Sequence, residues 1–175
     1  MGREAACAAL CFVAALTLTS TGIPSRAAPA RSFSSRSEGI GVRYPDGWTL
    51  TTANRGYVSD PALCFDLSNV TAREIVDLRI VEYLPPYLSR KDLSFYRARP
   101  DRFDLSAFRE ADNDWSPGED VSFRERGRVF FAGLALPASS DAGTRRQVVR
   151  VLDSLRISAR GRCRPTSGVG SHGVA

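Results

Sequence analysis

Apolar and polar positions alternate over much of the chain. Val42 and Tyr44 stand on one side of a short run, Gly41 and Arg43 on the other. A few residues later Trp48 and Leu50 alternate with Thr49 and Thr51. A period of two marks a strand with one covered face. Between these runs lies Pro45-Asp46-Gly47, where proline presets φ and glycine allows a positive φ. Together they predict a hairpin. Leu63, Phe65 and Leu67 share one face of a third strand. Residues 75–84 (IVDLRIVEYL) form a longer strand, ended by Pro85-Pro86 because proline donates nothing to a ladder. Residues 89–100 are basic and irregular, with room for one helical turn, and 102–108 read as a strand.

A second hairpin is expected from residues 121–126 and 128–136 around Gly127. The run 129–136 (VFFAGLAL) is apolar on both faces and suits a central strand. The period then changes. Val148, Val151, Leu152 and Leu155 recur at helical spacing, while Arg146, Arg150 and Asp153 take the other face. Ser139, Ser140 or Asp141 can cap this one clear helix.

The two ends break the pattern. Residues 5–18 are an apolar run of 14 residues, shorter than the roughly 20 needed to span a bilayer. A polar, proline-containing exit follows, and Ala28-Pro29-Ala30 fits the small-x-small rule for cleavage. Residues 1–30 therefore read as a Sec-type signal peptide, cut after Ala30, and the protein as secreted or extracytoplasmic. An uncleaved anchor is the alternative. Residues 31–39 (RSFSSRSEG) are read as a linker and 40–158 as a single domain. Residues 159–175 carry too little apolar surface to offset their ordering entropy and are read as a disordered tail.

The order of elements carries a resemblance. An opening segment Val42-Arg43-Tyr44-Pro45-Asp46-Gly47-Trp48 leads through several strands to Gly127-Arg128-Val129-Phe130-Phe131. The closing helix ends in Val151-Leu152-Asp153-Ser154-Leu155-Arg156-Ile157. Over residues 40–158 this resembles the Mog1/PsbP-like superfamily, and within it small secreted bacterial proteins of unassigned function. The resemblance implies an α+β fold, an antiparallel sheet flanked by helices. It implies no single activity, because fold alone does not carry function.

Composition narrows the chemistry. The chain has 175 residues, 43% hydrophobic and 25% charged, the balance of a globular protein. It has a single histidine, His172, inside the tail. A histidine-based triad, a haem pair or a zinc set is hard to build around it. No Gly-x-Ser-x-Gly and no Walker pattern occurs. No cofactor is implied, and the missing chemistry argues against an enzyme. Removal of residues 1–30 takes away Cys7 and Cys11 and leaves Cys64 and Cys163. Two thiols in an exported protein point to one disulfide. A buried Cys64 with a free Cys163 is the alternative.

Two loops stand out. Arg90, Lys91, Arg97, Arg99 and Arg102 are interleaved with Phe95, Tyr96 and Phe103. This set points to an anionic envelope component or a protein partner. Export argues against nucleic acid, and no second apolar run would hold the cleaved protein in a membrane. The other loop holds Asp112, Asp114, Glu119 and Asp120, hard oxygen ligands that make it a weak candidate for a cation. Its spacing fails the twelve-residue calcium pattern, since Pro117 and Phe123 fall where glycine and a carboxylate are required. With Trp115 the same carboxylates would suit a carbohydrate-acting hydrolase, the alternative reading. A passive structural domain is the third. The reading carried forward is a secreted, non-catalytic binding or assembly module.

Overall fold

Strands make up about half of the described residues, and their antiparallel pairing builds the fold. The computed structural model describes residues 30–52, 62–71, 74–84, 92–110 and 118–163. Nine strands and one α-helix lie among them. In chain order the strands are β1 (Ala30–Ser35), β2 (Ile40–Pro45), β3 (Thr49–Thr51), β4 (Ala62–Val70) and β5 (Ile75–Tyr83). They continue as β6 (Arg109–Glu110), β7 (Glu119–Glu125) and β8 (Arg128–Ala135). Helix α1 (Ala142–Asp153) and β9 (Arg156–Ile157) close the fold. The strands form two antiparallel sheets, one in the order β1-β2-β9 and one in the order β3-β4-β5-β8-β7-β6. This is an α+β arrangement, with a single α-helix among the described residues. Short 3₁₀ turns at Asp92–Phe95 and Leu105–Ala107 are the other helical pieces described.

The apolar run at 129–136 becomes β8, central in the larger sheet and buried over most of its length. Its hairpin with β7 turns at Arg126 and Gly127, both at positive φ. That is the two-residue turn whose twist matches paired strands. Asp141 caps α1, accepting from the Thr144 N–H at 2.7 Å. Val148, Val151 and Leu152 on its inner face join Phe65, Leu78 and Phe130 in one core.

Two expectations need correction, and they are linked. Residues 31–39 are not a linker throughout, because 31–35 pair with β2 from Arg31↔Tyr44 to Ser35↔Ile40. Phe33 is the one large apolar residue of that serine-rich stretch. It packs edge-on against Phe65, with ring centroids 6.0 Å apart. β1 takes one edge of β2; on the other, β9 pairs at Ile40 and Gly41 and the Ser154 hydroxyl bonds both the N–H and the carbonyl of Arg43, so no edge is left for β3. The expected hairpin across Pro45-Asp46-Gly47 therefore does not form. The turn bonds Trp48 N–H to the Pro45 carbonyl at 3.3 Å and carries the chain into the other sheet. Trp48 itself is buried.

Two smaller differences follow from local geometry. The register of β4 shifts between Leu63 and Phe65, so Leu63 pairs with Val81 while Phe65 and Leu67 face the core. Residues 102–108 form a 3₁₀ turn capped by Asp104 instead of a strand. The residues of the expected tail that are described, 159–163, lie against the domain and bury Cys163.

Candidate functional site

The basic loop is built onto the part of the β7 edge that β6, paired only at Glu119 and Asp120, leaves open. Arg99 N–H donates to the Arg124 carbonyl at 2.9 Å, and Arg124 N–H to the Arg97 carbonyl at 2.7 Å. Ala98 thereby bridges in parallel to Arg124. Aromatic side chains fix the same segment. Tyr96 stands edge-on to Phe131 at 6.0 Å, and buried Phe103 to Phe123 at 5.4 Å. Phe103 N–H also donates to the Asp153 carboxylate at 2.8 Å. Phe95 has no such role and is 81% exposed.

The arginines divide in the same way. Arg99 turns inward. Its guanidinium donates to the carbonyls of Leu152, Asp153 and Leu155, at 2.8 to 3.1 Å, and pairs with Glu125 at 3.2 Å. It thus bonds carbonyls at and just beyond the C-terminus of α1, where the helix end is negatively polarised. Arg124 donates to the Leu93 carbonyl at 3.2 Å. Arg97, Arg102 and Arg126 are exposed, and their guanidiniums bond to nothing among the described residues. Between the 93–101 segment and the β7–β8 turn lies an open cleft of about 700 Å³. Leu93, Arg99, Asp101, Arg124, Arg126 and Asp153 are among its lining residues. Arg90 and Lys91 lie outside the described residues.

The acidic set is not gathered into one place. Asp112, Asp114 and Trp115 lie outside the described residues. Glu119 and Asp120 are consecutive residues of β7, so their side chains leave opposite faces of the sheet. They pair across to β6, at Glu119↔Glu110 and Asp120↔Arg109.

Cys64 and Cys163 are joined in a disulfide, with Cα atoms 4.9 Å apart across 99 residues of chain. Beside it lies a buried ion pair that sequence reasoning missed. Arg128 donates to both carboxylate oxygens of Glu82, at 2.8 and 2.6 Å, and both residues are at most 2% exposed. Arg128 also donates to the carbonyls of Gly39 and Ser158, each at 3.2 Å. Cys163 N–H donates to Glu82 at 2.8 Å. Among the described residues, Cys64, Glu82 and Cys163 are the group with metal-ligand chemistry in close reach. Here the sulfurs are bonded to each other and the carboxylate to Arg128, so the cluster is a closed joint. The signal was present: Glu82 continues the inward set Val76, Leu78 and Ile80, and Arg128 opens the central apolar run.

The structure therefore offers an open, mixed-charge cleft with an exposed aromatic beside it. No family model matches the chain, and neither a curated protein nor a solved structure matches it.

Proposed function

We propose that this chain is an exported, non-catalytic binding module that docks an acidic protein partner of the cell envelope on the 93–102 segment. The observation that carries this reading is Phe95, 81% exposed and two residues from cleft-lining Leu93, in a segment that also bears exposed Arg97 and Arg102. Exposed aromatic and arginine side chains together are what protein interfaces concentrate at their centres. The segment is held by strand bonds to β7, by Tyr96 and by Phe103, so little ordering is left for the moment of binding. Export, with cleavage after Ala30, belongs to the same proposal. It is supported by the signal-like residues 1–30 and by a disulfide of the kind that persists in oxidising compartments. The Mog1/PsbP-like superfamily stands as the proposed family on the resemblance of the sequence at residues 42–48, 127–131 and 151–157.

Retention on isolated envelope material tests the docking. The Phe95→Ala, Arg97→Ala, Arg102→Ala variant is expected to lose at least about tenfold in affinity, the scale of one hot-spot residue. Its far-UV circular dichroism should be unchanged. Unaltered retention of the folded variant overturns the reading.

A further inference from the structure

The small sheet carries a second, separate surface. Ser32 stands opposite Arg43, Ser34 opposite Gly41, and Gly41 opposite Arg156. Cross-strand partners share a face, so these five residues form one side of β1-β2-β9. The other side is the alternate set Ile40, Val42 and Ile157, buried in the core, with Phe33 packed against it. Arg36 from the β1–β2 turn, with Ser154 and Ser158, extends the outward face into a groove of about 540 Å³. Arg36, Arg43 and Arg156 are all exposed. Their guanidiniums bond to nothing among the described residues, unlike those of Arg79, Arg99 and Arg128. No carboxylate is among the described residues lining the groove, in contrast to the mixed-charge cleft.

We propose that this groove binds an extended polymer bearing phosphate groups. Guanidinium forks and hydroxyl donors are the side chains that match phosphate oxygens. The cations are laid out in sequence along the β2 axis. Arg36 sits at the turn, Arg156 beside Gly41, and Arg43 two residues further on, a step of ~7 Å. Cations spread over successive strand positions suit a chain with repeated charges. Gly41 keeps the centre of the groove low, and a Cβ there would stand 3.2 Å from the Phe33 carbonyl oxygen. The C-terminal end of α1 would oppose an anion nearby. Arg99 bonds three carbonyls there, and the Ser154 hydroxyl is held between Val151 and Arg43.

Titration with short-chain inorganic polyphosphate tests this. The wild-type protein is expected to bind it with an affinity that falls as salt rises. Arg43→Ala with Arg156→Ala should weaken binding at least about tenfold. Arg43→Lys with Arg156→Lys should restore part of it, since charge returns without the fork. Arg97→Ala with Arg102→Ala should leave it unchanged, so this result and that of the envelope assay fail independently. Equal loss from both alanine pairs would mean general charge attraction and would overturn the site. Two further results would overturn the phosphate-polymer assignment: tighter binding to heparin, or to phosphatidylglycerol vesicles, than to polyphosphate.

Discussion

Asp77 of β5 has one carboxylate oxygen buried without a partner among the described residues. Burial first, and then the charge of Asp66, push its pKa up, while Arg79 and the Leu78 N–H pull it back. A carboxyl group whose folded pKa is raised holds its proton more tightly folded than unfolded. Its favourable contribution is therefore present at low pH and lost as pH rises from the ordinary Asp range through the raised value. Asp77→Asn should remove that loss. Urea unfolding should show the variant gaining on the wild type as pH rises through that window, and a constant difference would contradict the assignment. The Glu82–Arg128 pair, by contrast, is buried with both carboxylate oxygens bonded. Arg128→Met leaves the buried Glu82 carboxylate with only the Cys163 N–H and the half-exposed Arg162 at 3.4 Å, and should cost about 3–5 kcal/mol by the same assay. A cost under about 1 kcal/mol would mean that the pair is not buried in solution. Both residues lay within strand patterns that the sequence showed clearly. Which charge meets which could not be read, because Glu82 and Arg128 are 46 positions apart and meet only through strand pairing.

At the scale of elements, what depends on neighbouring residues was legible and what depends on strand partners was not. The period-two run of β5, the apolar β8, the tight β7–β8 turn and the capped helix α1 all follow from nearby residues. The pairing of β2 does not. It depends on β1, whose serine-rich sequence carries one large apolar side chain and so reads as linker. The Asp141 cap gives a pH effect of reversed sign. N–H donors of Thr144 and Gly143 hold its carboxyl below the usual range. Its contribution is present above the ordinary Asp pKa and lost as pH falls through the lowered value. Asp141→Ala should thus be less stable than wild type at neutral pH, with the gap closing in acid; a gap that persists in acid would contradict it. The C-terminal segment is the other element to test. Gly161, at φ 91°, crosses the β1–β2 turn so closely that a Cβ would lie 2.6 Å from the backbone of Glu38 and Gly39. Gly161→Ala should lower the thermal midpoint and expose Cys163 to reductant. An unchanged midpoint would mean that this crossing does not form.

At the scale of the whole molecule, the α+β class, the one α-helix among the described residues and the cysteine pair were legible. The disulfide closes most of the domain into one loop, and Cys64→Ser with Cys163→Ser should cost ~4 kcal/mol of stability. The candidate site was legible in part. Interleaved arginines and aromatics marked the 93–102 segment, yet only the fold separates the anchors Arg99, Tyr96 and Phe103 from the outward Phe95, Arg97 and Arg102. The basic face of the small sheet was invisible, because its residues come from three segments and one of them read as a linker. Export is the proposed premise joining these features, since disulfides persist in oxidising compartments and the proposed partner lies in the envelope. The intact mass of the protein recovered from its host's envelope or medium tests that premise directly. The expected mass is that of a chain beginning at Arg31 and lacking the two hydrogens of the Cys64–Cys163 thiols. A chain still carrying residues 1–30, or one with both thiols free, would contradict the account.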